Sequence, residues 1–213
     1  MKKSIIILAE SAKYGESCVA GFDIQKKQLI RLVADENGGP IPNEYLNHVD
    51  PLDLVEVEIN ESVPLTYQPE NYRIDLDVPV EFKGKIQLQT IIETMRAFPQ
   101  ERLIFGNPYK VLRENEISDI GKSLACYHVS NLQVYVSNNY QGRPKSRADF
   151  DCNGQHYKGI HVTDRDFFDL EEKKNIGEAY LIMSLPNKPW MAEDGTMLYF
   201  KFIAKIFPLN ENL

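Results

Sequence analysis

Apolar and polar positions along this chain fall into short alternating blocks, with one stretch of helical spacing near the middle. In the first third, Ile5–Ala9, Cys18–Asp23, Leu29–Val33 and Leu54–Ile59 are rich in β-branched residues or alternate, which predicts strands. The block LVEVEI sets Leu54, Glu56 and Glu58 on one face against Val55, Val57 and Ile59 on the other, so one face is core and the other wet. The polar QKKQ before Leu29 reads as a hairpin tip, and the Gly-Gly and Pro signals of Asp35–Tyr45 as a long loop. These predict antiparallel connections rather than crossover helices. In IQLQTIIETMRAF, Leu88, Ile91, Ile92 and Met95 recur at helical spacing ahead of Pro99, which predicts one short amphipathic helix able to bury against either half. A second set of strands follows at Leu132–Val136, Arg147–Asp151, Tyr157–Val162, Ala179–Ser184 and a long Met197–Phe207. Asn153-Gly154 marks a hairpin between two of them. DRDFFDLEEKKN, opened by Thr163 or Asp164 as an N-cap, predicts a further helix between strands.

Two clusters of about five strands each, separated by a helix and a loop, fit two closed barrels better than one open sheet, because closure removes exposed strand edges. The expected fold is mostly β: two small OB-like (oligonucleotide/oligosaccharide-binding) β-barrels with a short helix between the strand clusters. Residues 1–98 are expected to form the first barrel with its terminal helix and residues 99–213 the second. No repeat between the halves is visible at the level of sequence.

Composition narrows the function classes. With 43% hydrophobic and 26% charged residues the chain has enough apolar material for a sizeable core. No apolar run reaches the roughly 18–20 residues that span a bilayer, and the start of the chain shows no cleavage site, so a cytoplasmic protein without membrane contact is expected. Cys18, Cys126 and Cys152 are far apart and lack a C-x-x-C pairing, which points to buried free thiols rather than a disulfide framework or structural zinc. The net charge of −7 excludes the bulk positive field of a non-specific DNA binder, so any nucleic-acid contact has to be local. Residues 1–110 hold 12 basic against 17 acidic residues and residues 111–213 hold 12 against 14, so the second half is less hostile to phosphate.

Catalytic patterns are scarce. The stretch IIILAESAKYGESCVAG begins as a phosphate-cradling loop begins, but Lys13 precedes Gly15 and the following SCVAGFDI is strand-like, whereas a P-loop needs its glycines first and a helix after. Ser11, Lys13, Gly15 and Ser17 then either hold a phosphate through side chains and loop amides or make an ordinary polar turn. His48, His128, His156 and His161 belong to no metal-binding or nucleophile motif, and strict alternation puts His156 and His161 on opposite faces of their strand. No cofactor or metal is expected. NNYQGRPKSR joins Tyr140 to Arg143, Lys145 and Arg147, the pairing of a stacking ring with phosphate-neutralising charge that a single-strand binder needs; a plain basic hairpin tip is the alternative. Trp190 is either a stacking platform or a lid on the core. YQPENYRID gathers Tyr67, Gln68, Glu70, Asn71, Tyr72 and Arg73, either to read bases or to stitch a loop to its own barrel.

Taken together, IIILAESAKYGESCVAGFDIQKKQLIRLV, DLVEVEI, YQPENYRID, SRADFDCNGQHYKGIHVTDRDFF, AYLIMSLPNKPW and YFKFIAKIF resemble, in that order, the dual OB-containing domain family of prokaryotes. The chain departs from the family pattern at Glu16 and Ser17, where Gly-Arg is common, and at Leu32, where proline is usual. The missing arginine weakens a phosphate role for the first loop. The resemblance implies two OB-like barrels, recognition of nucleic acid or a nucleotide, and a mobile-element or phage-defence setting. The positions it carries over are Ser11, Lys13, Gly15, Gly21, Arg31, Gln68, Glu70, Asn71, Thr163, Asp164 and Ser184, with Arg31 either bridging to Glu70 or facing a phosphate.

The leading expectation is thus a non-catalytic recognition module for single-stranded DNA or RNA, or a nucleotide. Its candidate contacts are Ser11, Lys13, Arg31, Gln68, Glu70, Asn71, Arg73, Tyr140, Arg143, Lys145, Arg147 and Asp164. A protein–protein adaptor docking to a larger effector enzyme is the alternative. A nucleotide-processing enzyme built on Asp164, Glu70 and Lys13 is the third reading.

Overall fold

Each apolar block of the first third is a strand in the computed structural model, which describes residues 1–13, 16–46, 48–139 and 141–209, and the side chains of all of these but Ala12 and Lys13. β1 (Lys2–Lys13) and β2 (Glu16–Asp23) form an antiparallel hairpin in which Lys13 lies opposite Glu16, so a strand follows the opening loop. β3 (Gln28–Val33) pairs with β2, and the two-residue β4 (Ile41–Pro42) borders the start of β2. β5 (Asp53–Ser62), β6 (Asn71–Ile74) and β7 (Glu81–Lys85) complete the sheet. β3 runs parallel to β6, β6 antiparallel to β5, and β5 returns to pair with β1, so β1-β2-β3-β6-β5 closes into a ring with β7 along the edge of β5. The β5 alternation holds: Val55, Val57 and Ile59 face the interior with Ile5, Ile7, Val19, Ile30 and Leu32, while Glu56 and Glu58 stay outside.

After α1 (Leu88–Arg96) the chain enters a second unit. β8 (Val111–Arg113) and the one-turn α2 (Glu114–Ile117) precede β9 (Leu124–Asn138), β10 (Pro144–Cys152) and β11 (Gln155–Val162). β12 (Lys174–Ser184), β13 (Trp190–Met191), β14 (Met197–Phe200) and β15 (Phe202–Pro208) follow. β9, β10, β11, β15 and β12 form a closed barrel, with β11 and β15 parallel. β13, β14 and β8 make a small separate sheet beside it. Both rings place their strands in the order first, second, third, fifth, fourth, with third and fifth parallel. The chain is therefore two five-stranded Greek-key barrels of the OB type. The duplication that the sequence hides is explicit in the strand order.

Three sequence-based expectations change. DRDFFDLEEKKN makes only a single 3-10 turn at Arg165–Phe167 before β12 begins at Lys174; Asp164 caps it as expected, accepting from Asp166 N (3.2 Å), while its buried carboxylate is also held on β15 by Ile206 N (2.9 Å) and Lys205 Nζ (3.0 Å). The long Met197–Phe207 strand breaks at Lys201, which is fully buried. Its ammonium donates to Ile104 O (2.5 Å), Asn107 O (2.7 Å) and Asn107 Oδ1 (2.8 Å), so the two halves of the strand serve different sheets. Of the three thiols, Cys126 and Cys152 are buried and Cys18 is exposed, because Cys18 lies on the outer side of β2.

Between the barrels lies a third apolar core. Ile6, Leu8 and Ala9 of β1, Ala20 and Phe22 of β2 and Leu29 of β3 pack on Leu124 and Cys126 of β9, Tyr180 and Ile182 of β12, and Ala204 and Phe207 of β15. Ile91, Ile92 and Met95 of α1 complete this core, so the helix buries against both halves at once. At roughly 1.5–3 kcal/mol for each large side chain fully buried, this seam is comparable in weight to a barrel interior. Among the described residues no helix is long and apolar enough to cross a membrane.

Candidate functional site

The second barrel leaves the outer side of β10 and β11 uncovered, and the strand register gathers side chains there. Arg147 on β10 is paired with Tyr135 of β9 on one side and His161 of β11 on the other, and His161 with Phe202 of β15. One row, Tyr135–Arg147–His161–Phe202, thus crosses four strands. The His161 ring lies 5.7 Å from Phe202 and 5.6 Å, edge to face, from Phe200 on β14. Phe200 in turn meets Trp190 at 6.1 Å, and the Trp190 side of this row is 46% exposed. Four rings therefore run from the barrel wall onto the small sheet.

Polar contacts hold this row in place. Arg147 donates from Nε to Ser137 Oγ (2.9 Å) and from Nη1 to Gly159 O (3.1 Å), and Nη1 lies 3.0 Å from His161 Nε2. A guanidinium has no acceptor, so Nε2 accepts and the imidazole is neutral with its proton on Nδ1. Burial, with the charges of Arg147, Lys110 and Lys145 beside it, pushes the His161 imidazole down to about 4. Asp149 accepts from Tyr135 OH (2.9 Å) and Gly159 N (2.7 Å) and is the one carboxylate in the row's hydrogen-bond network. Lys145, Arg143 and Lys110 are exposed, and the charges of Lys145 and Lys110 both reach the His161 ring; the turn that carries Arg143 is fixed by Asn139 Oδ1 accepting from Gln141 N and Arg143 N (both 2.9 Å). Tyr140 lies outside the described residues.

Strict alternation failed at the histidines. Gly159, at φ +63°, bulges β11 out of phase, so that Tyr157, Ile160 and Val162 all face the core and His156 and His161 both point outward. His156 is taken by Asp151 (2.6 Å), and among the described residues no group of three or more ligating side chains is arranged to hold a metal.

The other sequence candidates sit elsewhere, and most of their polar atoms engage protein. Gln68 and Asn71 are buried, with Asn71 Nδ2 donating to Gln68 Oε1 (3.2 Å). Gln68 Nε2 donates to Leu185 O (3.2 Å), and Glu70 accepts from Ser123 N (2.6 Å), Ser123 Oγ (2.9 Å) and Leu124 N (3.0 Å). Arg31 is buried and reaches the same two places, Ser123 Oγ (3.1 Å) and Leu185 O (3.3 Å). The Gln-Pro-Glu-Asn segment is thus bonded through its backbone to its own barrel, where Glu70 O accepts from Arg31 N (2.9 Å), and through the Gln68 and Glu70 side chains to the opposite one, and Arg31 joins Glu70 through Ser123. Arg73 pairs with Glu61 (2.6 Å) on the first barrel. Ser11 is partly buried on β1 opposite Cys18, and the Lys13 side chain lies outside those described. Asp164 is held by Lys205 and Ile206. Lys13, Glu70 and Asp164 therefore stand on three different elements.

Phe200, Phe202 and Lys110 escaped the sequence reading. The signal for Phe200 and Phe202 was the alternation of YFKFIAKIF; a single long strand would keep both in one sheet, whereas the break at Lys201 puts Phe200 on β14 and Phe202 on β15 with the His161 ring against both, and Lys110 carries no such signal.

No curated protein matches the sequence. Among solved structures the chain is similar to the Ifi202 HINa domain in its crystal structure with 20bp dsDNA, at 12% identity over 98% of this chain and 97% of that one, with a TM-score of 0.38. A likeness that low carries no argument about this chain. The profile of the dual OB-containing domain matches residues 3–206. With two rings of one strand order and a profile match over nearly its whole length, the chain belongs to the dual OB-containing domain family.

Proposed function

We propose that this protein is a recognition module that binds single-stranded nucleic acid across the outer face of the second barrel. The observation that carries the reading is the ordered row Trp190, Phe200, His161, Phe202 with Arg147 in register beside it, Lys145 and Lys110 close enough to act on the His161 ring, and Arg143 in the adjoining turn. Single-strand binders combine rings on which bases stack with cations that follow the backbone, and each stacked base contributes about 1–3 kcal/mol. In OB barrels oligonucleotides lie on the second and third strands, between the loop joining strands one and two and the loop joining four and five. Here those are β10 and β11, the 139–143 turn, and residues 185–201, which carry Trp190. An acidic protein holds a polyanionic ligand only where cations are gathered locally, as they are on this face.

The test is fluorescence anisotropy of labelled single-stranded DNA and RNA, and of the matching duplexes, at two salt concentrations. The variant Arg143→Ala/Lys145→Ala/Arg147→Ala is measured alongside. Binding of single strands that weakens with salt and is lost in the triple variant supports the reading. Absence of binding at low salt by a folded protein overturns it and redirects the search to a protein partner.

A further inference from the structure

The loop that carries Trp190 is anchored by the first barrel. Leu185, where the chain leaves β12, presents its carbonyl to both Gln68 Nε2 (3.2 Å) and Arg31 Nη2 (3.3 Å), while its N–H donates to Ser123 O (2.9 Å). Two residues on, Asn187 Nδ2 donates to Gly38 O (3.3 Å) in the long loop after β3. Gly38 is confined there: at φ +73°, a Cβ would come within 2.9 Å of Asn71 Nδ2 and 3.1 Å of Gln68 Oε1. Glu70 fixes the other side of the anchor by taking Ser123 and Leu124. The intervening sequence Leu185-Pro186-Asn187-Lys188-Pro189-Trp190 holds two prolines, each with a locked φ, so few free dihedrals separate the anchor from the indole.

We infer that Arg31, Gln68, Gly38 and Asn187 are positioning residues: the first barrel acts as a clamp that sets the 185–201 loop so that Trp190 stands in line with Phe200 and His161. Arg31 and Gln68, which sequence reasoning places at a ligand, act here through another group. The clamp also gives the two-barrel construction a role in binding, since one barrel supplies the surface and the other fixes the loop that completes it. Preorganising a loop in its bound position raises affinity by removing the ordering cost from the binding step.

The effect on affinity rests on the proposed binding face; the position of Trp190 does not, and the two can be separated. Trp190 is the single tryptophan of the chain, so intrinsic fluorescence reads the loop directly. In ligand-free protein, Gln68→Ala and Asn187→Ala should raise acrylamide quenching of Trp190 by up to about twofold, the ratio of full exposure to the 46% of the native loop. Both should weaken binding of a labelled single-stranded oligonucleotide by about tenfold while leaving the salt slope unchanged, because no phosphate contact is removed. Asn187 is part-exposed and makes one of the anchoring bonds, so it decides the matter if Gln68→Ala unfolds. Native quenching and native affinity in folded Asn187→Ala would overturn the clamp. Native quenching with weaker binding would overturn it too, since the loop would not have moved. If the wild type binds no oligonucleotide, the binding face is wrong, and the quenching result still judges the clamp.

Discussion

The two barrels use the same pair of strands in opposite ways. On β2 and β3 of the first barrel the outward positions include Ala20, Phe22 and Leu29, and all are buried against the partner barrel. On β10 and β11 of the second they include Lys145, Arg147, Asp149, His156, Lys158 and His161, of which Lys145, His156 and Lys158 are exposed and Arg147, Asp149 and His161 half-buried. Each face carries an arginine at its centre. Arg31 is buried at the seam, bonded to Ser123 and Leu185, whereas Arg147 is part-exposed in a network of Ser137, Gly159 and His161. A barrel of this fold has one open face to use, and residue chemistry decides whether it becomes an interface within the chain or a surface for a ligand. Apolar outward positions made the first a seam, and cations and rings left the second open.

The comparison is broken most severely by placing a charge on the seam. Phe22 is 8% exposed and packs edge-to-face on Phe98 at 5.8 Å, so Phe22→Asp buries an unpaired carboxylate between the barrels. It is expected to cost more than about 4 kcal/mol in urea unfolding. A stability close to wild type would mean that the barrels do not depend on this seam.

The matching change on the open face should act on binding instead. Arg147→Glu leaves Ser137, Gly159 and His161 in reach of solvent, so stability should stay within about 1 kcal/mol of wild type. Reversing the central charge is expected to weaken a single-stranded oligonucleotide about 100-fold, equivalent to about 2.7 kcal/mol, with a shallower salt slope. Equal losses of stability from Phe22→Asp and Arg147→Glu would erase the distinction between the faces.

Much of this architecture was legible because strands with one wet face advertise themselves. The β5 alternation, the Asn153-Gly154 hairpin and the Leu88, Ile91, Ile92, Met95 stripe all reappear where the pattern placed them. What stayed hidden depends on single residues whose effect is tertiary. Gly159 shifts the phase of β11 and turns His161 outward; Lys201 breaks the last strand; Asn131, at φ +53°, bends a β9 that runs from Leu124, eight residues before the expected start at Leu132. The polar-aromatic Gln-Pro-Glu-Asn segment leaves a base-reading surface and a loop stitched to its own barrel equally open in the sequence, yet the Gln68 amide and Glu70 carboxylate meet Leu185 and Ser123, more than fifty residues away. A buried polar group and a ligand-binding one look alike until the partner is known. The basic row was legible in part, since Arg143, Lys145 and Arg147 announce charge while Phe200 and Phe202 announce only strand.

The smallest expected effect isolates the open face by pH. The His161 imidazole is held at about 4 in the folded chain, against about 6.5 when unfolded, because burial and the neighbouring Arg147, Lys110 and Lys145 oppose its charge. Between those values the unfolded chain carries a proton that the folded chain does not. His161 therefore contributes no slope above pH 6.5 and lowers stability as pH falls from 6.5 to 4, by about 2 kcal/mol once its partial exposure is allowed for. His161→Phe retains the ring contacts with Phe200 and Phe202 and should remove that slope, so the difference between the two unfolding curves isolates this one group. Binding should depend on pH with the opposite sign. A phosphate brought beside the imidazole favours its charged form, so an oligonucleotide should bind wild type more tightly as pH drops through the same window and His161→Phe without that gain. If both proteins lose stability in parallel, His161 is not desolvated against Arg147, and the row across the second barrel is looser than its register implies.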